Sequence, residues 1–140
     1  MVTSYSVDEM WQSYDKYADM AAELGQTTES VIQSSALFYQ QGLDTAEVLE
    51  LTESTMKMAT LANVDFKTAT SEMTAALRGF HMEMSQGEHV ADVYSELAAH
   101  AAADVKGIAY AMSKTSSIAA SAGMSFETTA AFLTQMIETT

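Results

Sequence analysis

Four polar residues with metal-binding side chains recur along one predicted helix. They are His89, Asp92, Glu96 and His100. Their spacing of three, four and four positions places them in a single stripe on an α-helix, and imidazole and carboxylate groups are common ligands of zinc and related cations. The alternative is that the stripe is the solvated face of an amphipathic helix whose other face is apolar. We prefer this second interpretation and expect no bound metal.

No other group of residues has the spacing of a catalytic site. His81 and Glu83 lie together near a predicted helix end. Acids such as Glu47 and Glu50 form pairs, but carboxylate catalysis requires a cleft and a raised pKa. There is no glycine-rich phosphate loop, GxSxG or HExxH motif, and the absence of cysteine excludes disulfides and thiolate ligands. We therefore predict a protein that is not an enzyme and has no cofactor.

Three aromatic residues near the N-terminus form a second candidate site. Trp11, Tyr14 and Tyr17 are spaced by three, so they follow one side of a predicted helix. Packing into the core is the first interpretation. The second is an exposed docking face, because acidic residues surround the strip and aromatic side chains often anchor interfaces.

Charge excludes several classes of function. The 140 residues carry 19 acids and 6 bases, a net charge of −13. Ten of the acids lie in residues 1–56, where Lys16 is the only base. Such a chain repels phosphate backbones and anionic lipid surfaces, so we expect no direct binding to nucleic acid or membranes. The N-terminal residues are too polar for a signal peptide. The sequence contains no run of 18 apolar residues, which is about the length that a membrane-spanning helix needs.

A short pattern recurs where one predicted helix ends and the next begins. The four junctions are Gly25-Gln26-Thr27, Gly42-Leu43-Asp44, Asn63-Val64-Asp65 and Gly123-Met124-Ser125. Glycine or asparagine accepts the left-handed conformation that ends many helices, and the following Thr, Asp or Ser can cap the next helix. Asp44 with Glu47, and Ser85 with Glu88, have the spacing of a capping box.

Between these junctions the apolar residues recur with a helical period. The predicted helices cover residues 8–24, 28–41, 45–62, 66–80, 86–102, 105–122 and 126–139. No alternating pattern typical of strands competes with them. We predict an all-α fold, a compact array of about six or seven short antiparallel helices joined by tight turns capped by Gly or Asn.

From about Ser35 to Thr140 the sequence resembles the core region of phage tail tape measure proteins of the siphophage and prophage type. The stretches that carry the resemblance combine helix caps with small residues, in the order of the family. They are Phe38–Leu49, Met58–Phe66, Ala69–Leu77 followed by Phe80, His89–Tyr94, and Ala122–Ala130. Residues 1–34 form a helical part outside this resemblance, and we expect the 140 residues to be one helical module, a fragment of a longer chain.

The resemblance implies a structural role in the virion. Tape measure proteins occupy the tail lumen, set the length of the tail tube and take part in tail assembly. Implied partners are tail tube proteins, assembly chaperones, distal tail or baseplate proteins, and further copies of the chain. The implied locations are the tail and, during assembly, the cytoplasm of the bacterial host. The alternative function is a stand-alone acidic helical domain that binds proteins as a chaperone or regulator.

Overall fold

A computed structural model describes residues 14–100 and 105–139, with side chains except at 97–100, 105, 106 and 137–139. Its helices are α1 (Tyr14–Leu24), α2 (Thr28–Gln40), α3 (Thr45–Ala62), α4 (Phe66–Gly79), α5 (Gly87–His100), α6 (Val105–Ser121) and α7 (Phe126–Thr139). A 3₁₀ turn, Met84–Gln86, precedes α5. No strand occurs in these residues, which confirms the predicted all-α array. The beginning of the predicted helix 8–24 lies outside the described residues.

The helix ends follow the local chemistry of the four junctions. Gly25, Gly42, Asn63 and Gly123 all have left-handed backbone conformations, with φ of 72°, 87°, 56° and 84°. Each junction then places an oxygen-bearing side chain at the start of the next helix, where it accepts a hydrogen bond from the backbone N–H three residues later. These residues are Thr27, Asp44, Asp65 and Ser125.

Asp44 forms a complete capping box. Its carboxylate accepts a 2.9 Å hydrogen bond from the Glu47 N–H, and the Glu47 carboxylate accepts one from the Asp44 N–H. Ser85 requires a correction. It lies inside the 3₁₀ turn, whose backbone continues directly into α5, so Glu83 and not Ser85 precedes the first helical residue.

The helices pack in two kinds of pair. Helices joined by a short junction pack together, as in α1–α2, α2–α3, α3–α4 and α6–α7. The most extensive contacts, however, join helices that are two apart in the chain, α3 with α5 and α4 with α6. Gly79 permits the second of these pairings, because a Cβ at that position would lie 2.5 Å from Ser116 Cβ.

Two apolar clusters form the core. The larger draws on α2 to α7 and includes Phe38, Met73, Tyr94, Met112 and Phe126, which are all at most 2% exposed. The Phe126 ring packs edge-to-face with both Phe80 and Tyr94 at centroid distances of 5.8 Å, so it joins the start of α7 to the end of α4 and the middle of α5. The smaller cluster joins α1 to α2 and α3 and is centred on Tyr17, Val31 and Met56.

Candidate functional site

The stripe that was weighed as a metal site follows α5. His89, Asp92 and Glu96 are exposed, and the side chain of His100 lies outside the described residues. Across the described part of the chain, no three His, Asp or Glu residues are grouped so that they could hold a metal ion. His89 instead meets a residue on another helix, since its Nε2 lies 3.1 Å from Glu127 Oε1 on α7.

The His89–Glu127 pair is a surface link between α5 and α7. The pKa of Glu127 is lowered, first by a hydrogen bond from its own backbone N–H at the start of α7 and then by the hydrogen bond with His89. Both side chains remain about half exposed, at 45% and 51%. An exposed ion pair contributes at most about 1 kcal/mol, so this contact is a modest structural link.

The backbone of His81 ends helix α4, a role that the sequence analysis did not predict. It is exposed and has a left-handed backbone with φ of 55°, while the N–H of the next residue, Met82, donates to Leu77 O at 2.7 Å. This is the Schellman arrangement that ends a helix. The sequence pattern missed it because that pattern looked only for glycine or asparagine, although histidine is also enriched among the non-glycine residues that adopt this conformation.

The aromatic strip of α1 divides between core and surface. Tyr17 is fully buried, and its hydroxyl shares a hydrogen bond with Ser35 on α2. Tyr14 is 41% exposed, and Trp11 lies outside the described residues. For Tyr17, therefore, the core-packing interpretation describes the structure.

Other large apolar side chains are exposed on α6 and α7. They are Tyr110 and Ile118 on α6, and Phe132 and Met136 on α7. Phe132 is 56% exposed although Leu133 beside it packs against the core. A sequence signal was present, since the apolar residues of α7 extend beyond a single helical face.

Acidic residues line a groove between α1 and α3. Asp19 and Glu23 of α1 face Glu50 and Glu53 of α3 across a cavity of about 510 Å³, with Lys16 and Lys57 among the lining residues. The groove reflects the excess of acids in residues 1–56. No helix in the described ranges is both long enough and apolar enough to cross a bilayer.

Comparison with known families supplies the assignment that the side chains do not. The sequence model of the phage-related minor tail protein family matches residues 17–140, from the buried Tyr17 of α1 to the last residue. The chain belongs to this family. It is thus related to structural proteins of the phage tail, which are virion components.

A curated relative narrows the relationship. The chain is 25% identical over 130 residues to the tape measure protein of Pneumococcus phage Dp-1. That alignment covers 93% of this chain and 11% of the relative, so the chain spans about a tenth of the relative's length. The resemblance to phage tail tape measure proteins is confirmed. No solved structure matches the chain.

Proposed function

We propose that this chain is a structural and assembly module of a phage tail tape measure protein, acting in tail assembly and in determining the length of the tail tube. The observation that carries the proposal is the similarity to a tape measure protein along 93% of the chain. The family match over residues 17–140 supports it, because it includes nearly every described helix.

The helical architecture supports a contribution to length. A continuous α-helix rises about 1.5 Å per residue, so 140 residues in one helix would extend about 210 Å. In the folded array the longest of the described helices, α3, has 18 residues and extends about 27 Å. The change in tail length on altering this segment would therefore distinguish an extended helix from the folded array in the assembled tail.

Paired changes in the full-length phage protein test the proposal. One phage carries an in-frame deletion of residues 14–139 and the other a tandem duplication of the same segment, and tail lengths are measured by electron microscopy. We expect the deletion to shorten the tails and the duplication to lengthen them. The change should be about 1.5 Å per residue if the module forms one continuous helix along the tail. Normal particles of unchanged length in both phages would contradict a role in length determination.

The proposed partners are other tail proteins, namely tube subunits, assembly chaperones and distal tail or baseplate proteins, together with other copies of the chain. The proposed site of action is the tail lumen, after assembly in the host cytoplasm.

The acidic groove between α1 and α3 is the observation that favours the alternative, a protein-binding chaperone or regulator. Mass spectrometry of purified particles distinguishes the two functions. A structural module yields peptides from residues 14–139 in mature virions, whereas an assembly chaperone or a regulator is found in the lysate and is depleted from particles.

A further inference from the structure

A groove with unusual charge runs along α4. Its floor is formed by α4 from Lys67 to Gly79, one wall by the end of α2 and the other by the middle of α6. It has a volume of about 770 Å³. Its lining is mostly hydroxyl-bearing, amide or small, and it includes Gln41, Lys67, Thr74, Arg78 and Ser116.

The charge of this groove is opposite to that of the protein. Among the described residues that line the groove, only Lys67 and Arg78 are charged, although the chain has 19 acids and 6 bases. A third cation, Lys114, lines an adjoining recess with Lys67, where the one carboxylate belongs to the buried Glu72. Among the described residues, no carboxylate oxygen lies within 4.0 Å of the charged group of Lys67, Arg78 or Lys114. Asp65 lies near enough to Lys67 for a weak electrostatic interaction.

The two cations have a defined geometry. Lys67 and Arg78 are eleven positions apart on α4, which is about three turns, so they lie on one side of the helix about 16 Å apart along its axis. Arg78 Nη2 donates to Gln41 Oε1 at 3.2 Å, and Gln41 Nε2 donates to Thr74 Oγ1 at 3.3 Å. These contacts orient the guanidinium beside the groove, and a guanidinium has further N–H groups to offer a ligand.

We propose that the groove between α2, α4 and α6 binds an acidic helical segment of a partner protein, with two carboxylates about three turns apart that pair with Lys67 and Arg78. An amphipathic helix can dock in a groove between two helices, and small wall residues allow its axis to approach closely. Arginine pairs with a carboxylate through two parallel hydrogen bonds, and the hydroxyls between the cations suit a polar partner surface. This contact rests on the proposed function, since the partner would be another protein of the assembling tail.

The number of charges favours a protein segment over nucleic acid. A DNA duplex carries one charge per about 1.7 Å, and its affinity depends on how many phosphates a protein neutralises. Two or three cations neutralise few phosphates while a net charge of −13 repels the rest. A segment with two carboxylates matches the two cations and adds little repulsion.

A designed peptide tests the proposal. The probe is a fluorescein-labelled 18-residue helix of Ala and Gln with Glu at positions 4 and 15, and its binding to the 140-residue chain is measured by fluorescence anisotropy at low salt. We expect saturable binding that weakens as NaCl increases, and no comparable binding by a peptide with Gln at both positions. Lys67→Gln and Arg78→Gln should each weaken binding about threefold to tenfold.

A matched variant separates local pairing from net charge. Lys16→Gln makes the same change in net charge, but Lys16 is on α1 and lines the acidic groove. The affinity of this variant for the peptide should therefore equal that of the wild-type chain. Circular dichroism confirms that each variant is folded. Equal affinity for the Glu and Gln peptides, or an equal loss in Lys16→Gln and Lys67→Gln, would overturn the proposal.

A DNA arm completes the test. If duplex DNA displaces the peptide, and Lys67→Gln and Arg78→Gln weaken that displacement, the groove binds phosphates and the proposal is wrong. Failure of peptide binding would leave the tail-length experiment untouched, because deletion and duplication do not depend on this groove.

Discussion

Gly79 shows how one residue decides which helices meet. A Cβ on Gly79 would contact Ser116 Oγ and lie 2.5 Å from Ser116 Cβ. The Ser116 Cβ is fixed to its backbone, so a change of rotamer cannot move it away. Ser116 Oγ also donates to Ala75 O at 3.2 Å, which ties the two helices together at the same place. The absence of a side chain at Gly79 is therefore a condition for the pairing of α4 with α6.

We predict that Gly79→Ala lowers the free energy of unfolding by about 1–3 kcal/mol, because overpacking outweighs the gain of about 1 kcal/mol in helix propensity. Urea denaturation measures the change. Ser116→Gly removes the atoms that clash, so the double variant should be more stable than the sum of the single changes, with a coupling of about 0.5–3 kcal/mol. Additive effects would show that the two residues do not meet as described.

Asp65 gives the stability a dependence on pH. Hydrogen bonds from the Thr68 backbone and side chain lower the pKa of Asp65 below its ordinary value of 3.8. Because the folded pKa is the lower one, this stabilisation is present above the unfolded value and is lost as the pH falls through the folded value.

The matched variant for this prediction is Asp65→Asn, which keeps an N-cap but does not titrate. We expect the wild-type chain to be the more stable at pH 7, and its advantage to shrink or reverse below about pH 3.8. Thermal denaturation from pH 7 to pH 2.5 measures the difference, and a constant difference across that range would contradict the prediction.

At the scale of single residues, the sequence predicted roles, such as helix caps, that depend only on residues nearby in the chain. Asp44 and Asp65 could be assigned as caps because a cap acts within three residues. Ser85 had the same local pattern, yet it lies inside a 3₁₀ turn that continues into α5. The role of Gly79 could not be predicted, because it depends on a helix that begins 26 positions later in the sequence.

The helices themselves owe their ends to the left-handed junction residues. Asn63 is informative because it has φ of 56° without being glycine, and its N–H donates to carbonyls in the last turn of α3. An L-residue with a Cβ pays a steric cost of about 1–2 kcal/mol in this conformation, and the side chain of asparagine offsets part of it.

We predict that Asn63→Ala lowers the free energy of unfolding by about 1 kcal/mol, while Asn63→Gly leaves it nearly unchanged or raises it slightly. Both substitutions remove the same side-chain amide, so their difference isolates the backbone conformation. Chemical denaturation of the two variants measures it, and equal stabilities would refute the explanation.

At the scale of elements, the number and bounds of the helices were more predictable than their partners. Caps and apolar period act within one helix, so the predicted 45–62 coincides with α3. The pairing of α3 with α5 was not predicted, since several helices present similar faces of Ala, Met and Thr. Which faces pair depends on small residues such as Gly87, where a Cβ would lie 2.5 Å from Leu51 Cδ1 on α3.

Across the whole molecule, the net charge conceals surfaces of opposite charge. The net charge of −13 predicted an acidic surface, and one acidic groove lies between α1 and α3. The cationic groove could not be predicted, because its lining residues come from 37–41, 67–79 and 113–117. These segments are far apart in the sequence, and the fold alone brings them together.

We predict that the chain does not bind duplex DNA at physiological salt, because the net repulsion acts on any extended polyanion. Electrophoretic mobility shift with a 30-base-pair duplex tests this, with a basic DNA-binding protein as the positive control. In a tail lumen the same repulsion would keep the module from adhering to DNA that passes through it. Strong association that salt does not weaken would contradict both statements.

The methionine-rich core also determines how the protein responds to oxidants. Met56, Met58, Met73 and Met112 are completely buried, whereas Met136 on α7 is 50% exposed. Among the methionines named here, peroxide should therefore convert Met136 to its sulfoxide first, leaving the fold intact, while the buried thioethers react only when the array opens. Each polar sulfoxide formed on a core methionine would then oppose refolding, so oxidation during opening would trap the chain in the unfolded state until the sulfoxide is reduced.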